Sequence, residues 1–208
     1  MSDSHGRPDT SLSAFLRLVD GRRGHFQLES GHHGPMWLEL DGLFADSGRI
    51  APFVTALAAE LRAHDVEMIC GPLLGGAFLA QLVAQLLRVP FCFTERRLQS
   101  DATGLYPARY ALPRIFHDRV RAKRIAIVDD VLSAGSALRG TLAELTSHGA
   151  VVAAAGALLQ LGETGADLLA AEGILVDAVA RDEYSLWLPG HCPLCDSNVP
   201  LEHPAAVA

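Results

Sequence analysis

Two adjacent carboxylates, Asp129 and Asp130, follow the apolar run RIAIV and precede the small-residue stretch SAGSA at residues 133–137. Carboxylates accept hydrogen bonds from hydroxyl groups or hold a divalent cation. The small residues lead into a predicted helix, whose first N–H groups and dipole favour an anion, and Ser133 and Ser136 add hydroxyl donors. The stretch therefore offers a hydroxyl-binding pair beside a phosphate-binding loop, and a ribose 5-phosphate fits both.

Other phosphate-binding motifs are absent or incomplete. The sequence has no G-x-x-x-x-G-K-[ST] motif and no G-x-G-x-x-G motif after a strand, which argues against a Walker P-loop and a dinucleotide fingerprint. A phospho-accepting receiver domain also begins with a strand that ends in paired acids. It requires a later acceptor aspartate, for which Asp177 is a candidate, and then a lysine. The single lysine, Lys123, precedes the pair, so the receiver interpretation is disfavoured.

The elements that must position the carboxylates alternate in type along the chain. Short apolar segments alternate with segments whose apolar residues recur at helical spacing. This pattern predicts an α/β fold, a parallel sheet with helices on both faces, in which ligands bind beyond the carboxyl ends of the strands. The predicted strands are EMICG, PFCFTE, RIAIVDD, AVVAAAGALLQL and ILVDAVA, with two earlier short strands around a GHHGP turn. The expected caps of the first two helices are Thr10 or Ser11 and then Asp46 or Ser47.

Length and charge limit the possible functions. With 208 residues, half of them hydrophobic, and a net charge of −7, the chain suits one domain and disfavours partners such as nucleic acid or an anionic membrane. Between Arg96 and Arg124, eight cations face two acids, a local +6 that suits a small polyanion or a solvated surface. No apolar run reaches the ~18 residues of a membrane span. We therefore expect a cytoplasmic protein in which Cys70 and Cys92 are buried thiols.

The apolar run, the two aspartates and the following loop resemble the phosphoribosyl-diphosphate (PRPP) signature of type I phosphoribosyltransferases. The resemblance implies that Asp129 and Asp130 hold the ribose 2- and 3-hydroxyls. It also implies Mg²⁺ as a cofactor, PRPP and a nucleobase as substrates, and a homodimer. The residues expected to bind the ribose 5-phosphate are Asp129, Asp130, Val131, Leu132, Ser133, Ala134, Gly135, Ser136 and Ala137.

Further segments are similar to the orotate branch of that family. FQLESGHHGPMWLEL looks like its amino-terminal hood, CGPLLGGAFLA like its pyrophosphate loop, and FTERR with LYPARYALP like the region of its mobile catalytic loop. CPLC and VPLEHP look like the tail of a longer subset. The resemblance covers about residues 15–204 and implies a single phosphoribosyltransferase domain, with a hood at roughly 10–45, a core at 46–185 and a tail at 186–208.

The resemblance implies transfer of ribose 5-phosphate from PRPP to orotate, giving orotidine 5-phosphate and pyrophosphate in pyrimidine biosynthesis. Such a reaction needs cations near the leaving group and exclusion of water, and the stretch LQSDATGLYPA has the composition of a closing loop. The expected catalytic residues are Arg96, Arg97 and Asp130. The expected pyrophosphate-binding residues are Leu73, Leu74, Gly75, Gly76, Arg96 and Arg109, although the two glycines also suit a helix-packing turn. The expected base-binding residues are Phe26, Ser30 and His32.

Three departures from the orotate branch bear on the base. The expected loop region has arginines in place of a lysine, Glu29 stands where the hood often has lysine, and residues 161–163 contain no arginine. Arginine keeps the charge of lysine but cannot lose a proton. A different base, or a regulatory protein that senses PRPP or a nucleotide, therefore stays open beside orotate.

The tail contains residue types that bind zinc. His191, Cys192, Cys195 and His203 form a candidate ligand set, although a single CxxC also suits a plain turn.

Overall fold

The computed structural model describes residues 8–98, 105 and 108–204 of the chain. The strands are β1 Asp20–Gln27, β2 His33–Glu39, β3 Met68–Pro72, β4 Phe91–Leu98, β5 Ala108–Ala111, β6 Arg124–Leu132, β7 Val151–Leu161 and β8 Val176–Asp182. The main sheet has the order β5-β4-β3-β6-β7-β8, and β1 and β2 form a separate antiparallel sheet. All neighbours in the main sheet are parallel except β4 and β5. The predicted α/β fold with a mostly parallel sheet is therefore confirmed.

The helices follow the strands as the apolar spacing predicts. They are α1 Leu12–Leu16, α2 Ser47–Leu61, α3 Gly75–Leu87, α4 His117–Val120, α5 Ser136–Ser147, α6 Thr164–Ala171 and α7 Pro193–Asp196. The Ser11 hydroxyl accepts from the Ala14 N–H at 3.2 Å, and the Asp46 carboxylate accepts from the N–H groups at the start of α2. Ser11 and Asp46 are therefore the caps of the first two helices, each one of its predicted pair.

Side chains alternate between the two faces of the main sheet. Ile69, Ala126 and Val128 belong to the core under α2 and α3, whereas Cys70 and Ile127 belong to the core under α5 and α6. This alternation follows from the period of two along a strand. Helices on both faces bury the central strands completely, which explains their continuous apolar runs.

The two expected buried thiols are confirmed. Cys70 of β3 and Cys92 of β4 occupy the same register, have no exposed surface and are free. Among the described residues no helix combines the length and the hydropathy needed to cross a membrane.

The chain reverses direction across the sheet between β3 and β6. From β3 it runs outward through β4 to β5, then crosses back to β6 on the other side of β3 and continues outward to β8. The carboxyl ends of β4, β3 and β6 therefore lie side by side at one edge of the sheet. A crevice at such a switch point is the usual ligand site of an open α/β sheet.

We define the hood as the β1–β2 sheet with its connecting turn. The predicted GHHGP turn is misplaced, because Gly34 and Pro35 lie inside β2 and the chain reverses over residues 28–32, where Gly31 has φ +83°. Backbone pairing of His33 with both Gln27 and Trp187 keeps the segment extended, and this pairing overrides the turn preference of the residues.

β5, α4 and α7 were not predicted. β5 and α4 lie between β4 and β6, in the region interpreted as part of a mobile loop and a basic surface. Of the expected closing loop LQSDATGLYPA, residues 99–104, 106 and 107 lie outside the described residues.

Candidate active site

The carboxylate pair lies near the end of the central strand β6. The backbone of Asp129 pairs with Ala157 of β7, and both aspartates are partly exposed. The Asp129 carboxylate accepts a hydrogen bond from the Asp130 N–H at 3.1 Å, and Asp130 accepts one from the Val131 N–H at 2.7 Å. Because each carboxylate uses few of its lone pairs in this way, both keep acceptor capacity for a ligand.

The glycine loop after β3 lies directly against these carboxylates. A Cβ on Gly75 would overlap the carboxylate of Asp130, and a Cβ on Gly76 would meet Asp129 Oδ1 at 2.9 Å. The Leu73–Leu74 peptide bond is cis, and both of these side chains are exposed. The close approach requires glycine at both positions, so the structure brings the predicted glycine loop against the predicted carboxylate pair.

Burial governs the charge of the pair. Burial, followed by the charge of Asp130 and a smaller effect of Glu29, raises the pKa of Asp129. Burial also raises the pKa of Asp130 to about 6, although hydrogen bonds from its own and the Val131 N–H oppose the shift. Two carboxylates this close resist joint ionisation unless hydroxyl donors or a cation compensate. A ligand that supplies positive charge or hydrogen bonds would therefore stabilise the ionised form of the pair.

The loop at residues 133–137 leads from β6 into α5 and packs against the start of α6. Gly135 adopts φ +77° and precedes α5, whose first turn receives no side-chain cap. A Cβ on Gly135 would meet the Gly165 backbone at 2.9 Å, and the Gly165 N–H donates to the Ser133 carbonyl at 2.9 Å. The start of α6 thus fixes the loop, and the binding of a phosphate by these residues stays a prediction. Leu132, expected in the loop, is the last residue of β6.

Arg96 lies in β4, two residues before the strand ends at Leu98, and contacts the hood. Its Nε is 3.5 Å from Glu29 Oε1, and the Tyr110 hydroxyl donates to the same oxygen at 2.7 Å. Burial and then the Glu29 charge raise the pKa of Tyr110, so its phenol stays protonated. The ring of Tyr110 also packs on Gly140 of α5. Glu29 therefore joins the hood to β4 and β5 beside the carboxylate pair.

The other two predicted cations, Arg97 and Arg109, lie opposite each other on β4 and β5. Both side chains are exposed. The Arg97 guanidinium contacts Glu95 on its own strand. The catalytic role of Arg97 and the pyrophosphate-binding role of Arg109 stay predictions.

The three predicted base-binding residues are buried. Phe26 has no exposed surface; its ring lies 6.5 Å from Trp37, and the Arg22 guanidinium covers it at 5.2 Å. Ser30 and His32 lie in the turn that carries Glu29, and His32 Nδ1 is 3.1 Å from Ser30 Oγ. Burial lowers the pKa of His32, which favours the neutral ring. Ser30 and His32 are thus near the site, whereas Phe26 offers no open surface.

The predicted zinc ligand set is wrong in two of its four members. Cys192 and Cys195 face His25 and His33 of the hood, and the group of mutually close ligand atoms contains neither His191 nor His203. Nδ1 of His203 is instead 2.7 Å from Gln27 Oε1 at the surface. Sequence proximity suggested the two tail histidines, but the tail folds back across the hood and meets residues about 170 positions earlier.

Several residues near the site were missed. Tyr110 and Gly165 lie outside the PRPP signature, and only the folded chain shows that they support Glu29 and the phosphate loop. His25 carried no signal on its own, because a lone histidine beside a buried aromatic residue is usually a core residue. For the group formed by His25, His33, Cys192 and Cys195, the two cysteines were the usable signal in the sequence.

A parallel sheet with a carboxylate pair and a glycine loop at its switch point defines an open α/β fold of the kind that binds its ligand beyond the strand ends. Residues 45–169 match the family model of the phosphoribosyl transferase domain. Because this match spans more than half of the chain, the protein belongs to the type I phosphoribosyltransferase family, as the sequence motifs predicted.

Similar proteins come from several organisms. The orotate phosphoribosyltransferase of Thermotoga maritima is 26% identical over 88% of this chain and 90% of the relative. That of Caldanaerobacter subterraneus is 24% identical over 94% and 95%. Both relatives are matched over nearly their whole length.

Solved structures agree on the fold. An orotate phosphoribosyltransferase from Aeropyrum pernix has a TM-score of 0.61 at 21% identity and covers 81% of this chain and 92% of its own. An adenine phosphoribosyltransferase from Thermoanaerobacter pseudethanolicus has a TM-score of 0.64 at 17% identity, with 82% and 99% covered. At these identities the structures support the fold and leave the base undetermined.

Proposed function

We propose that this phosphoribosyltransferase moves ribose 5-phosphate from PRPP onto orotate and releases pyrophosphate. The observation that carries the proposal is the contact between the Gly75–Gly76 loop and the Asp129–Asp130 pair. The two halves of PRPP, a ribose phosphate and a pyrophosphate, need binding sites that adjoin at the anomeric carbon. The names of the curated relatives support orotate as the base.

The ribose half binds at the end of β6. Ionised Asp129 and Asp130 accept hydrogen bonds from the 2- and 3-hydroxyls. These hydrogen bonds offset the free-energy cost of burying the two charges. The 5-phosphate binds the N–H groups of residues 133–137 at the start of α5. These contacts hold the sugar with its anomeric carbon toward the glycine loop.

The leaving group binds at the ends of β3 and β4. Backbone groups of residues 73–76 hold the pyrophosphate, and Arg96 stabilises the charge that grows on it. Carboxylate oxygens are hard ligands, and Asp129 and Asp130 keep free lone pairs, so the donor set fits Mg²⁺. When bound, Mg²⁺ supplies further charge neutralisation on the pyrophosphate.

The reaction exchanges one bond at the anomeric carbon. The bond from this carbon to the pyrophosphate oxygen breaks with its electron pair, and a bond to the ring nitrogen of the base forms as that nitrogen passes its proton to the departing pyrophosphate or to water. Arg96 acts through its charge and does not accept the proton, since a guanidinium stays protonated. Protonated Tyr110 holds Glu29 in place next to Arg96.

A different base is the second candidate, and Glu29 favours it. The Glu29 carboxylate stands in the hood beside Ser30 and His32, where an orotate carboxylate would meet repulsion. Glu163, in the stretch expected to carry an arginine, accepts from Gln160 Nε2 at 3.0 Å. Acidic acceptors of this kind suit a base with an exocyclic amino group.

The remaining features also rest on the family resemblance. We propose that hood, core and tail act as one domain of a cytoplasmic homodimer.

The base panel tests the proposal directly. Pyrophosphate release from PRPP is measured with Mg²⁺ and with orotate, adenine, guanine, hypoxanthine or uracil. Release that depends on orotate supports the proposal, whereas release with another base keeps the transfer and replaces the substrate. PRPP binding without release for any base would contradict catalysis and indicate a PRPP-sensing regulator.

A further inference from the structure

A second group of chemistry-bearing residues lies where the tail crosses the hood. Its members are His25 of β1, His33 of β2, Cys192 before α7 and Cys195 within α7, and their ligand atoms lie within 4.8 Å of one another. His25, His33 and Cys192 are buried, and both cysteines are free thiols. The group is on the hood side of the molecule and shares no residue with the transfer site.

The hydrogen bond of His25 to the tail fixes which ring nitrogen is free to bind. His25 Nδ1 lies 2.9 Å from the Val199 carbonyl oxygen, which only accepts, so Nδ1 carries the proton. In the neutral ring, Nε2 then presents its lone pair to the interior of the group. Donation from one imidazole nitrogen to a carbonyl, with the other nitrogen left for a metal, is the usual arrangement of a zinc-bound histidine.

Three atoms converge on that one lone pair. Nε2 of His25 is 3.0 Å from His33 Nδ1, 3.3 Å from Cys192 Sγ and 3.7 Å from Cys195 Sγ. A single lone pair accepts one good hydrogen bond, so hydrogen bonding alone does not account for three atoms this close to Nε2. A cation at the centre would bind all four atoms at once.

Four of the spacings within the group lie within about 0.4 Å of the edges of a zinc-centred tetrahedron. With Zn–N near 2.0–2.1 Å and Zn–S near 2.3 Å, tetrahedral edges are about 3.3–3.8 Å. The observed His25–His33 distance of 3.0 Å and Cys195–His33 distance of 3.3 Å lie close to that range. Two thiolates and two imidazoles also form a donor set that binds zinc in preference to magnesium or calcium.

Another group of close ligand atoms offers a different donor set. It consists of His117, Glu144 and His148 near α4 and the end of α5, so it has three ligands and no thiolate. The Glu144 carboxylate already accepts from the Leu112 N–H at 2.8 Å, and the two histidine rings stack at 3.9 Å. Three ligands without sulfur do not complete the shell of a structural zinc site, so this group carries no such proposal.

We propose that His25, His33, Cys192 and Cys195 bind one structural zinc ion that fastens the tail to the hood. Four protein ligands complete the tetrahedral shell, which leaves no open position for a substrate and makes the ion structural.

The backbone around the ligands gives the ion its structural role. The tail residue Glu202 bonds to His25 and Gln27 of β1, and Trp187 bonds to His33 of β2. Zinc would hold these contacts between the tail and both strands of the hood in place, and so fix the turn that carries Glu29.

Metal analysis of the intact purified chain tests the site independently of activity. After purification with a thiol reductant and no chelator, we expect about one zinc per chain by elemental analysis and native mass spectrometry. Replacement by Co²⁺ should give the thiolate charge-transfer and visible bands of tetrahedral cobalt. A wild-type chain that holds no zinc after zinc incubation and shows no such bands would overturn the proposal, and so would a Cys192–Cys195 disulfide under reducing conditions.

Paired variants separate this ligand set from its sequence neighbours. Cys192→Ser and Cys195→Ser should each lose at least about nine tenths of the zinc and lower the midpoint of thermal unfolding. His191→Ala and His203→Ala change tail histidines outside the group and should keep the metal. Full zinc occupancy in a folded Cys192→Ser chain, or zinc loss in His203→Ala alone, would refute the ligand set. If the cysteine variants do not fold, the wild-type cobalt spectrum and the two histidine variants decide the question.

Discussion

Glu29 Oε1 of the hood lies 3.5 Å from Nε of Arg96, near the end of β4, and this contact brings an acid to the cation expected to bind the leaving group. The pair is partly exposed, so its direct contribution to stability is small, on the order of 1 kcal/mol or less. Its importance is electrostatic and local. While Glu29 holds Arg96, part of the arginine's charge is directed to the hood.

Glu29→Gln should release Arg96 and improve the use of orotate. The neutral amide can still accept from Tyr110 but no longer repels the orotate carboxylate, so we expect KM for orotate to fall by about three- to tenfold. Steady-state kinetics at saturating PRPP measure this change. Glu39→Gln alters an exposed acid of the same hood and is the matched control. An unchanged KM for orotate would show that the Glu29 carboxylate is remote from the base.

Asp130→Asn should impair transfer by removing charge from the ribose site. We expect kcat/KM for PRPP to fall by about tenfold or more, because a charged acceptor for a ribose hydroxyl is lost. Asp177→Asn is the control, since Asp177 pairs with His64 at 2.7 Å near the start of β8. Near wild-type PRPP kinetics in Asp130→Asn would refute the assignment of the carboxylate pair.

The same substitution should stabilise the free protein at high pH. Because burial raises the pKa of Asp130 from 3.8 to about 6, its favourable contribution is complete below pH about 4 and is lost as the pH rises through 6. Asn copies the neutral form at every pH. We expect Asp130→Asn to exceed the wild type by about 1–2 kcal/mol in unfolding free energy at pH 8, with no gain at pH 4. Urea unfolding at the two pH values measures it, and an equal effect at both would contradict the shift.

Gly75→Ala should block the site without a large loss of fold. The new methyl group would overlap the Asp130 carboxylate, so the loop or the aspartate must move. We expect PRPP turnover to drop by roughly a hundredfold, since small misplacements at a reacting centre are costly. Gly42→Ala is the control, because a methyl group at that position would project into open space. Equal activity of the two variants would separate the glycine loop from catalysis.

The main sheet was predictable from local pattern alone. Apolar runs such as RIAIV must be buried on both faces, and the helical spacing between them supplies the cover. The site at the end of β6 followed from the same pattern, because Asp129 and Asp130 break an apolar run where its strand ends. Their contact with Gly75 and Gly76 needed the strand order, which brings β3 beside β6.

The hood was less predictable because long-range pairing controls it. Gly34 and Pro35 favour a turn locally, yet pairing of His33 with Gln27 and Trp187 keeps them in β2. The zinc ligands show the same limit, since Cys192 meets His25 only after the tail has folded onto β1. Contacts between distant segments carry no periodic signal in the sequence.

Identification of the product tests the central claim most directly. Purified protein is incubated with PRPP, Mg²⁺ and orotate, and nucleotide and pyrophosphate are quantified together by mass spectrometry and a coupled assay. We predict orotidine 5-phosphate and pyrophosphate in equal amounts, with both greatly reduced in Asp130→Asn. Pyrophosphate that forms equally well without orotate, or no turnover of PRPP by the folded wild type with any base, would contradict the claim.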